Sequence, residues 1–179
     1  EMCRDMVRVI VDPPLVCDKQ GKFTWVDVSN PRERPVKFDP TQVRQGIEHV
    51  HSFTTTIQRA FNPDRVFLYG FSQGGVIVAH TVEQYPRQFS GAIMSHCMIV
   101  PEVALDSKDP MPPLQAIYAH PETGLDTVVT QADRTGMSQW LAMKNAATIV
   151  AYIPGKHQFD RGVAKHVEGT LVGWRKSRF

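Results

Sequence analysis

The order of apolar and polar positions along the chain predicts buried strands that alternate with amphipathic helices. Residues 7–11 (VRVIV) are almost entirely β-branched and end just before two prolines, which predicts a strand followed by a turn. Residues 15–38 show no regular period and are predicted to be irregular. Short apolar runs, typical of strands whose two faces are both covered, lie at residues 65–69, 91–94, 116–118 and 148–153.

Helical patterns separate these strands. Asp39 and Pro40 form a favourable helix start, because aspartate accepts hydrogen bonds from the first turn and proline fits its first position. The apolar residues that follow, up to Phe61, mostly keep helical spacing and predict one buried stripe. Further helices are predicted at residues 73–84, 130–144 and 162–176. This alternation predicts an α/β fold, a mostly parallel sheet with helices on both faces, in a single domain over residues 1–179.

The composition excludes several classes of protein. Twenty basic and eighteen acidic residues give a formal charge of +2, which does not indicate binding to nucleic acid or to an anionic membrane. No run approaches the ~20 apolar residues of a membrane span, and no signal peptide opens the chain, so we expect a cytoplasmic protein without an integral membrane segment. Cys3, Cys17 and Cys97 have no metal-type spacing, and we expect reduced thiols and no metal site.

A candidate nucleophile lies where the second predicted strand gives way to a helix. The segment Gly70-Phe71-Ser72-Gln73-Gly74 has the pattern Gly-x-Ser-x-Gly, with strand before it and helix after it, which is the context of a nucleophile elbow. Glycine at two positions relieves collisions in so tight a turn, and the backbone N–H of Gln73 is predicted to face a developing oxyanion. The alternative is an ordinary glycine-bearing turn. A nucleotide-binding loop is excluded because neither GxGxxG nor GxxxxGK[ST] occurs.

A serine hydroxyl requires a base within hydrogen-bond reach and a third group that orients the base. In this architecture the acid and the histidine follow the serine in that order, each in a loop after a later strand. His157 follows the strand at residues 148–153 and Asp126 follows the strand at residues 116–118, so we predict them to be base and acid. Other histidines are alternative bases, and three other carboxylates are alternative acids. The histidines are His49, His51, His80, His96, His120 and His166, and the carboxylates are Glu122, Asp133 and Asp160.

Several segments resemble the phospholipase/carboxylesterase family, which includes acyl-protein thioesterases and lysophospholipases. Residues 70–75 (GFSQGG) look like the elbow of that family and are a fairly specific signature. Other similar segments are residues 25–28 (WVDV), 63–66 (PDRV), 124–129 (GLDTVV) and 152–157 (YIPGKH). The resemblance covers most of the chain and implies the α/β-hydrolase fold.

The resemblance implies hydrolysis of a carboxylic ester or acyl thioester through an acyl-enzyme, with Ser72 as nucleophile, His157 as base and Asp126 as orienting acid. It implies no metal and no organic cofactor. Family substrates include small acyl esters, lysophospholipids and acylated proteins. The candidates for the wall of the substrate pocket are Phe23, Trp25, Phe71 and His96.

The sequence departs from the family pattern in two places. The family carries an earlier strand that ends in a His-Gly-x-Gly loop and supplies a second oxyanion N–H, whereas no His-Gly dipeptide occurs here. We therefore expect the first strands to be lacking, either because residues precede Glu1 or because the element is lost, which would leave an open sheet edge for a partner or a second copy, as in a homodimer. Extra residues also separate His120 from Asp126.

The first departure favours a competing hypothesis from a different class. A protein with the same fold could bind an acyl ligand or a protein partner without catalysis. A peptidase or lipase that uses the same three side chains is a third hypothesis, and only the shape of the pocket separates it from an esterase.

Overall fold

The computed structural model describes residues 9–17, 22–26, 36–105, 109–119, 126, 128–144, 148–154 and 156–176. The first two residues of the strand predicted at 7–11, together with His120 and Glu122, lie outside these ranges. The elements in chain order are β1 (Leu15–Cys17), β2 (Lys22–Thr24), α1 (Pro40–Phe61), β3 (Phe67–Phe71), α2 (Gln73–Gln84), a 3₁₀ turn (Pro86–Gln88), β4 (Gly91–Ser95), β5 (Leu114–Ala119), α3 (Gln131–Met143), β6 (Thr148–Ile153) and α4 (Arg161–Lys176).

Four of the strands form one parallel sheet in the order β3-β4-β5-β6. Each strand pairs with the next one along the chain, and in the register of the first pair Phe71 lies opposite Ser95. Because the strands are parallel, the loops that follow them meet at one edge of the sheet, where ligands bind in open α/β sheets. β1 and β2 form a separate antiparallel pair.

Successive side chains of a strand point to opposite faces of the sheet, so the buried residues form one core on each face. On β4, Ala92 and Met94 pack into a core shared with α1, α2 and α3, whereas Ile93 between them points to the opposite face. On β5, Tyr118 and Ile117 divide in the same way, and both are fully buried. Trp174 of α4 covers the second face. The predicted α/β architecture, with a parallel sheet and helices on both faces, is therefore confirmed.

Helix α1 begins and ends at residues suited to those positions. The side chain of Asp39 accepts a hydrogen bond from the backbone N–H of Thr41 at 2.8 Å, as expected of an N-cap. The helix ends at Asn62, whose φ of 44° lies in the left-handed region that asparagine tolerates. Inside the helix, a Cβ on Gly46 would lie 2.7 Å from Ile77 Cδ1, so the missing side chain lets α1 and α2 approach closely.

Two predictions near the N-terminus were wrong in their described parts. Residues 9–11 form no strand, and Ile10 is 71% exposed. A β-branched run forms a strand where a neighbour supplies hydrogen bonds, and no described strand pairs with this one. Residues 15–38 are not wholly irregular, since they contain β1 and β2. Strands of three residues are too short to show a period.

The remaining elements follow the prediction with shifted ends. α2 and β6 have the predicted bounds. β3 begins two residues late, at Phe67, and continues to Phe71. β4 and β5 are longer than predicted, by one residue and by three. No helix in the described ranges is long and apolar enough to cross a membrane.

Candidate active site

Ser72 occupies a sharp turn between β3 and α2. It is the one residue between Phe71, which ends the strand, and Gln73, which begins the helix. Its φ of 54° is a left-handed conformation that is unfavourable for a residue with a side chain. A Cβ on Gly70 would lie 2.2 Å from the carbonyl oxygen of Gly74, so the turn requires glycine at position 70. The predicted requirement for glycine at the second position is wrong, because a Cβ on Gly74 would make only an ordinary contact, 3.4 Å from Trp25 Nε1. The local structure is therefore a strained turn between strand and helix that depends on Gly70.

The loops after β3, β5 and β6 bring three polar side chains together. His157 Nε2 lies 3.0 Å from Ser72 Oγ. Its other ring nitrogen, Nδ1, lies 3.2 Å from Asp126 Oδ1 and 3.4 Å from Asp126 Oδ2. With the proton on Nδ1 donated to the carboxylate, Nε2 is free to accept a proton from the serine hydroxyl. This arrangement has the geometry of a nucleophile, a base and an orienting acid.

Asp126 is held in its ionised form by its surroundings. Burial acts to raise the pKa of its carboxyl, but hydrogen bonds from His157 and from the backbone N–H groups of Val129 and Val128 outweigh burial and hold the pKa below its usual value. Both backbone N–H groups donate to Oδ1 at 3.0 Å. Oδ1 thus both orders the loop and faces the imidazole of His157, whose side chain is 14% exposed.

The rival carboxylates in the described residues have structural partners. Asp133 accepts hydrogen bonds from the backbone N–H and the hydroxyl of Thr130, which completes the capping box of α3. Asp160 accepts from the backbone N–H groups of Gly162 and Val163 in the first turn of α4. Neither makes a contact with His157 of the kind that Asp126 makes.

Most of the rival histidines also contact groups away from Ser72. His49 contacts the carbonyl oxygen of Asp12, and His51 contacts the side chain of Gln88. His166 contacts the side-chain amide of Gln115. His80 contacts a buried carboxylate on its own helix.

Gln73 contributes to the site through both its backbone and its side chain. Because it is the first residue of α2, its backbone N–H belongs to the turn that has no intrahelical acceptor. Its side-chain Oε1 accepts hydrogen bonds from Thr24 Oγ1 at 2.8 Å and from the backbone N–H of Trp25 at 3.3 Å. Its Nε2 donates to the carbonyl oxygen of Val26 at 3.0 Å. The side chain therefore fastens residues 24–26 beside the elbow, a role that the sequence analysis missed.

A cavity of about 290 Å³ opens beside Ser72 and His157. Its lining is formed by Val36, Phe38, Ser72, Gln73, Val76, His96, Cys97, Met98, Val128, Val129 and His157. Among the described residues, the lining includes no carboxylate and no lysine or arginine. Its apolar residues are not the ones that were predicted, although Val76 is one helical turn after the serine and Cys97 is the second residue after the end of β4.

His96 combines several unusual features in this lining. It is 1% exposed, and its φ of 52° is left-handed. Its Nδ1 lies 2.8 Å from Ser95 Oγ, whereas Nε2 has no hydrogen-bond partner among the described residues. The ring meets the edge of the His157 ring, with centroids 5.6 Å apart. Burial lowers the pKa of His96, so the folded protein favours its neutral form.

Phe71 and Trp25, two of the other predicted pocket residues, lie beside the cavity rather than in its described lining. The Phe71 ring packs against the rings of His157 and His96, at centroid distances of 5.3 and 5.4 Å. Trp25 lies near the elbow, where a Cβ on Gly74 would meet its Nε1 at 3.4 Å. The side chain of Phe23 is outside the described part of the structure. No group of three or more histidine, cysteine or carboxylate side chains in the described ranges could hold a metal ion.

Comparison with known proteins gives a family match and one curated relative. Residues 34–135 match the Hydrolase_4 family, described as serine aminopeptidase, S33. The carboxylesterase SOBER1 of Arabidopsis thaliana is 32% identical over 89 residues, which are 46% of this chain and 38% of that protein. The match thus spans well under half of the length of the curated relative.

Solved structures share the fold at low sequence identity. A carboxylesterase of Bacillus cereus is 14% identical with a TM-score of 0.73, covering 91% of this chain and 73% of that one. The structure of Arabidopsis thaliana SOBER1 is 21% identical with a TM-score of 0.69, covering 93% and 81%. At these identities the likeness shows the α/β-hydrolase fold alone.

Proposed function

The chain belongs to the serine hydrolase family described as serine aminopeptidase, S33, and we propose that it cleaves carboxylic esters or acyl thioesters through an acyl-enzyme. The observation that carries the proposal is the contact of His157 Nε2 with Ser72 Oγ at 3.0 Å, while Asp126 faces the other ring nitrogen. The likeness to carboxylesterases supports ester substrates in general. The roles of the individual residues are part of the proposal.

In the proposed mechanism, Ser72 Oγ attacks the acyl carbonyl carbon while His157 Nε2 takes the hydroxyl proton. The tetrahedral intermediate then expels an alkoxide or thiolate, which His157 protonates. A water molecule, deprotonated by the same imidazole, then attacks the carbonyl carbon of the acyl-enzyme. The bond to Ser72 Oγ breaks, His157 returns the proton to that oxygen, and the carboxylic acid is released. Asp126 keeps the proton on Nδ1 and stabilises the imidazolium that forms in each step.

The backbone N–H of Gln73 is the proposed donor to the oxyanion. The family resemblance implies a second donor from a His-Gly-x-Gly loop, and the described residues contain no such loop. A single oxyanion donor contributes about 100- to 1000-fold to the rate. The proposal therefore predicts measurable rather than high activity where Gln73 is the sole donor.

The cavity favours the acyl portion of a small substrate. Its volume of about 290 Å³ lies at the lower end of the range of small-molecule sites. Its apolar lining suits a hydrocarbon chain rather than a charged group. We propose a small acyl ester as the first substrate class to test, with lysophospholipids and acylated proteins as further candidates whose leaving groups extend out of the cavity. A cytoplasmic location and a homodimer stay predictions.

The family description makes an aminopeptidase the second candidate function. An aminopeptidase must bind the charged α-amino group of its substrate, and a buried cation requires a nearby carboxylate. The described lining of the cavity contains none. This difference favours an uncharged acyl group, and hydrolysis of p-nitrophenyl butyrate compared with alanine p-nitroanilide tests it directly.

A fluorophosphonate probe distinguishes the enzyme from the non-catalytic binder. We expect covalent labelling of the wild-type chain and none of Ser72→Ala. Ser52→Ala, which removes a hydroxyl from an exposed position on α1, is the matched control and should be labelled like the wild type. Absence of labelling in the wild type, together with binding of a fatty acid, would instead support the binder.

A further inference from the structure

A charged cluster is buried between α2 and α3, away from Ser72. The side chain of Glu83 is 0% exposed, and Lys144 Nζ lies 2.6 Å from its Oε1. Trp140 Nε1 donates to the same oxygen at 3.1 Å, and His80 Nδ1 lies 3.2 Å from Oε2. His80 and Glu83 are both buried in α2 although they are ionisable, so their presence requires a specific reason.

The cluster reaches the segment that follows β4. The backbone N–H of Val100 donates to His80 Nε2 at 3.1 Å, which requires the neutral ring with its proton on Nδ1 facing Glu83. At the other end of the segment, Lys144 Nζ donates to the carbonyl oxygen of Leu105 at 2.5 Å. Both contacts depend on Glu83, because this one carboxylate fixes His80 and Lys144 in place.

The anchored segment, residues 97–105, forms part of the wall of the cavity. Cys97 and Met98 belong to the lining beside Ser72. The segment has two further anchors outside the cluster. Tyr118 donates to the carbonyl oxygen of Cys97 at 3.0 Å, and Arg44 donates to that of Glu102 at 2.8 Å. Side chains that lie outside the cavity therefore hold this part of its wall in position, through hydrogen bonds with the backbone groups of residues 97–105.

Stability alone does not explain a buried ion pair of this kind. Desolvation of the two charges offsets most of their attraction, and uncharged replacements of similar volume are often neutral or stabilising. A carboxylate that binds two donors does, however, fix their positions and directions, which apolar packing does less specifically.

We propose that Glu83, with His80 and Lys144, is a positioning group that holds residues 97–105 against the cavity and thereby limits the length of the acyl chain that the site accepts. The proposal rests on the proposed esterase function and adds the determinant of acyl selectivity to it. None of the three residues touches the substrate. They act through Cys97 and Met98.

The test compares the wild type with the double variant Glu83→Gln/Lys144→Met. Glutamine keeps an acceptor for Trp140 but places its amide NH2 group against His80 Nδ1, where it cannot accept a hydrogen bond. Methionine removes the donor to Leu105 at similar volume. Lys165→Met, at an exposed position on α4, is the matched control. The readouts are the ratio of kcat/KM for p-nitrophenyl octanoate over butyrate, the melting temperature, and hydrogen exchange of residues 97–105.

We expect the octanoate-to-butyrate ratio to rise about tenfold in the double variant, which is the order that one methylene group contributes in an apolar pocket. Amide exchange should become faster in residues 97–105 while the melting temperature changes little. A purely structural cluster would lower the melting temperature without changing the ratio, and a ratio within twofold of the wild type would overturn the proposal. If the double variant does not fold, Lys144→Met alone, which leaves Glu83 its hydrogen bonds with Trp140 and His80, is held to the same criterion.

A binding measurement separates this proposal from the proposed function. In a Ser72→Ala background, the ratio of dissociation constants for octanoate and butyrate reports on the cavity without catalysis. A wild type that neither hydrolyses esters nor reacts with a fluorophosphonate would contradict the esterase. An unchanged binding ratio in the double variant would contradict the positioning role.

Discussion

His157 Nε2 lies 3.0 Å from Ser72 Oγ, although 85 residues separate the two along the chain. The parallel sheet explains this contact. Ser72 follows β3 and His157 follows β6, the two outer strands, and the loops that follow parallel strands all lie at the same end of the sheet. Between them, Asp126 follows β5, and its carboxylate approaches the far side of the imidazole. The relationship carries consequences for mutation and for stability.

Replacement of His157 by glutamine should abolish hydrolysis of p-nitrophenyl acetate. The glutamine side chain cannot take the proton of Ser72, so the first step loses its base. We expect kcat to fall by about 10⁶-fold, the order of loss for a triad without its histidine. His166→Gln, on α4, is the matched control, and a His157→Gln variant with kcat within tenfold of the wild type would exclude His157 as the base.

Replacement of Asp126 by asparagine should lower kcat by about 10³- to 10⁴-fold, because the amide can stabilise the wrong tautomer of the imidazole. Asp160→Asn is the matched control, since Asp160 caps α4 and asparagine is also a good cap. We expect the control to keep kcat within a few-fold of the wild type. Equal losses in the two variants would contradict the assignment of the acid.

The sequence singles out three side chains that the structure brings into contact, but it does not reveal the short strands near the N-terminus. Gly70 and Gly74 mark the elbow, and Tyr85-Pro86 marks the end of α2, so local chemistry suffices for those boundaries. His157 and Asp126 could be predicted because strand order alone places their loops at one edge of a parallel sheet. Their catalytic roles stay predictions.

The features that were missed depend on tertiary partners. Residues 9–11 have the composition of a strand, but pairing decides whether a strand forms. The polar residues His80 and Glu83 were visible in an apolar helix, but their partner Lys144 is brought to them only by the packing of α3 on α2. The apolar cavity lining likewise comes from loops after different strands.

Replacement of Gly70 by alanine should prevent formation of the elbow. The added Cβ would lie 2.2 Å from a backbone atom, which no side-chain movement can relieve. We expect a loss of stability of at least ~2 kcal/mol in urea unfolding and loss of fluorophosphonate labelling.

Gly169→Ala is the opposite control, because a Cβ there meets nothing within 4 Å and the position is inside α4. Alanine should stabilise this helix by about 0.5 to 1 kcal/mol. If Gly70→Ala were as stable as Gly169→Ala and reacted with the fluorophosphonate like the wild type, the close approach of Gly70 to the carbonyl oxygen of Gly74 would be contradicted.

His96 should make the folded protein less stable as the pH falls. Burial lowers the pKa of this histidine, so between its usual pKa near 6.5 and the lower value of the folded state the unfolded chain binds a proton that the folded chain does not. Stability therefore decreases as the pH falls through this interval. The charges nearest to the ring act in both directions: Asp126 and Asp160 favour its protonated form, whereas His157 opposes it.

His96→Asn removes this titration and retains a side chain that tolerates a φ of 52°. We expect the difference in the free energy of unfolding between about pH 7 and pH 5 to be smaller in this variant than in the wild type, as measured by urea unfolding. A steeper dependence in His96→Asn would contradict this prediction. It would mean that His96 is protonated in the folded protein and that Asp126 stabilises the charge.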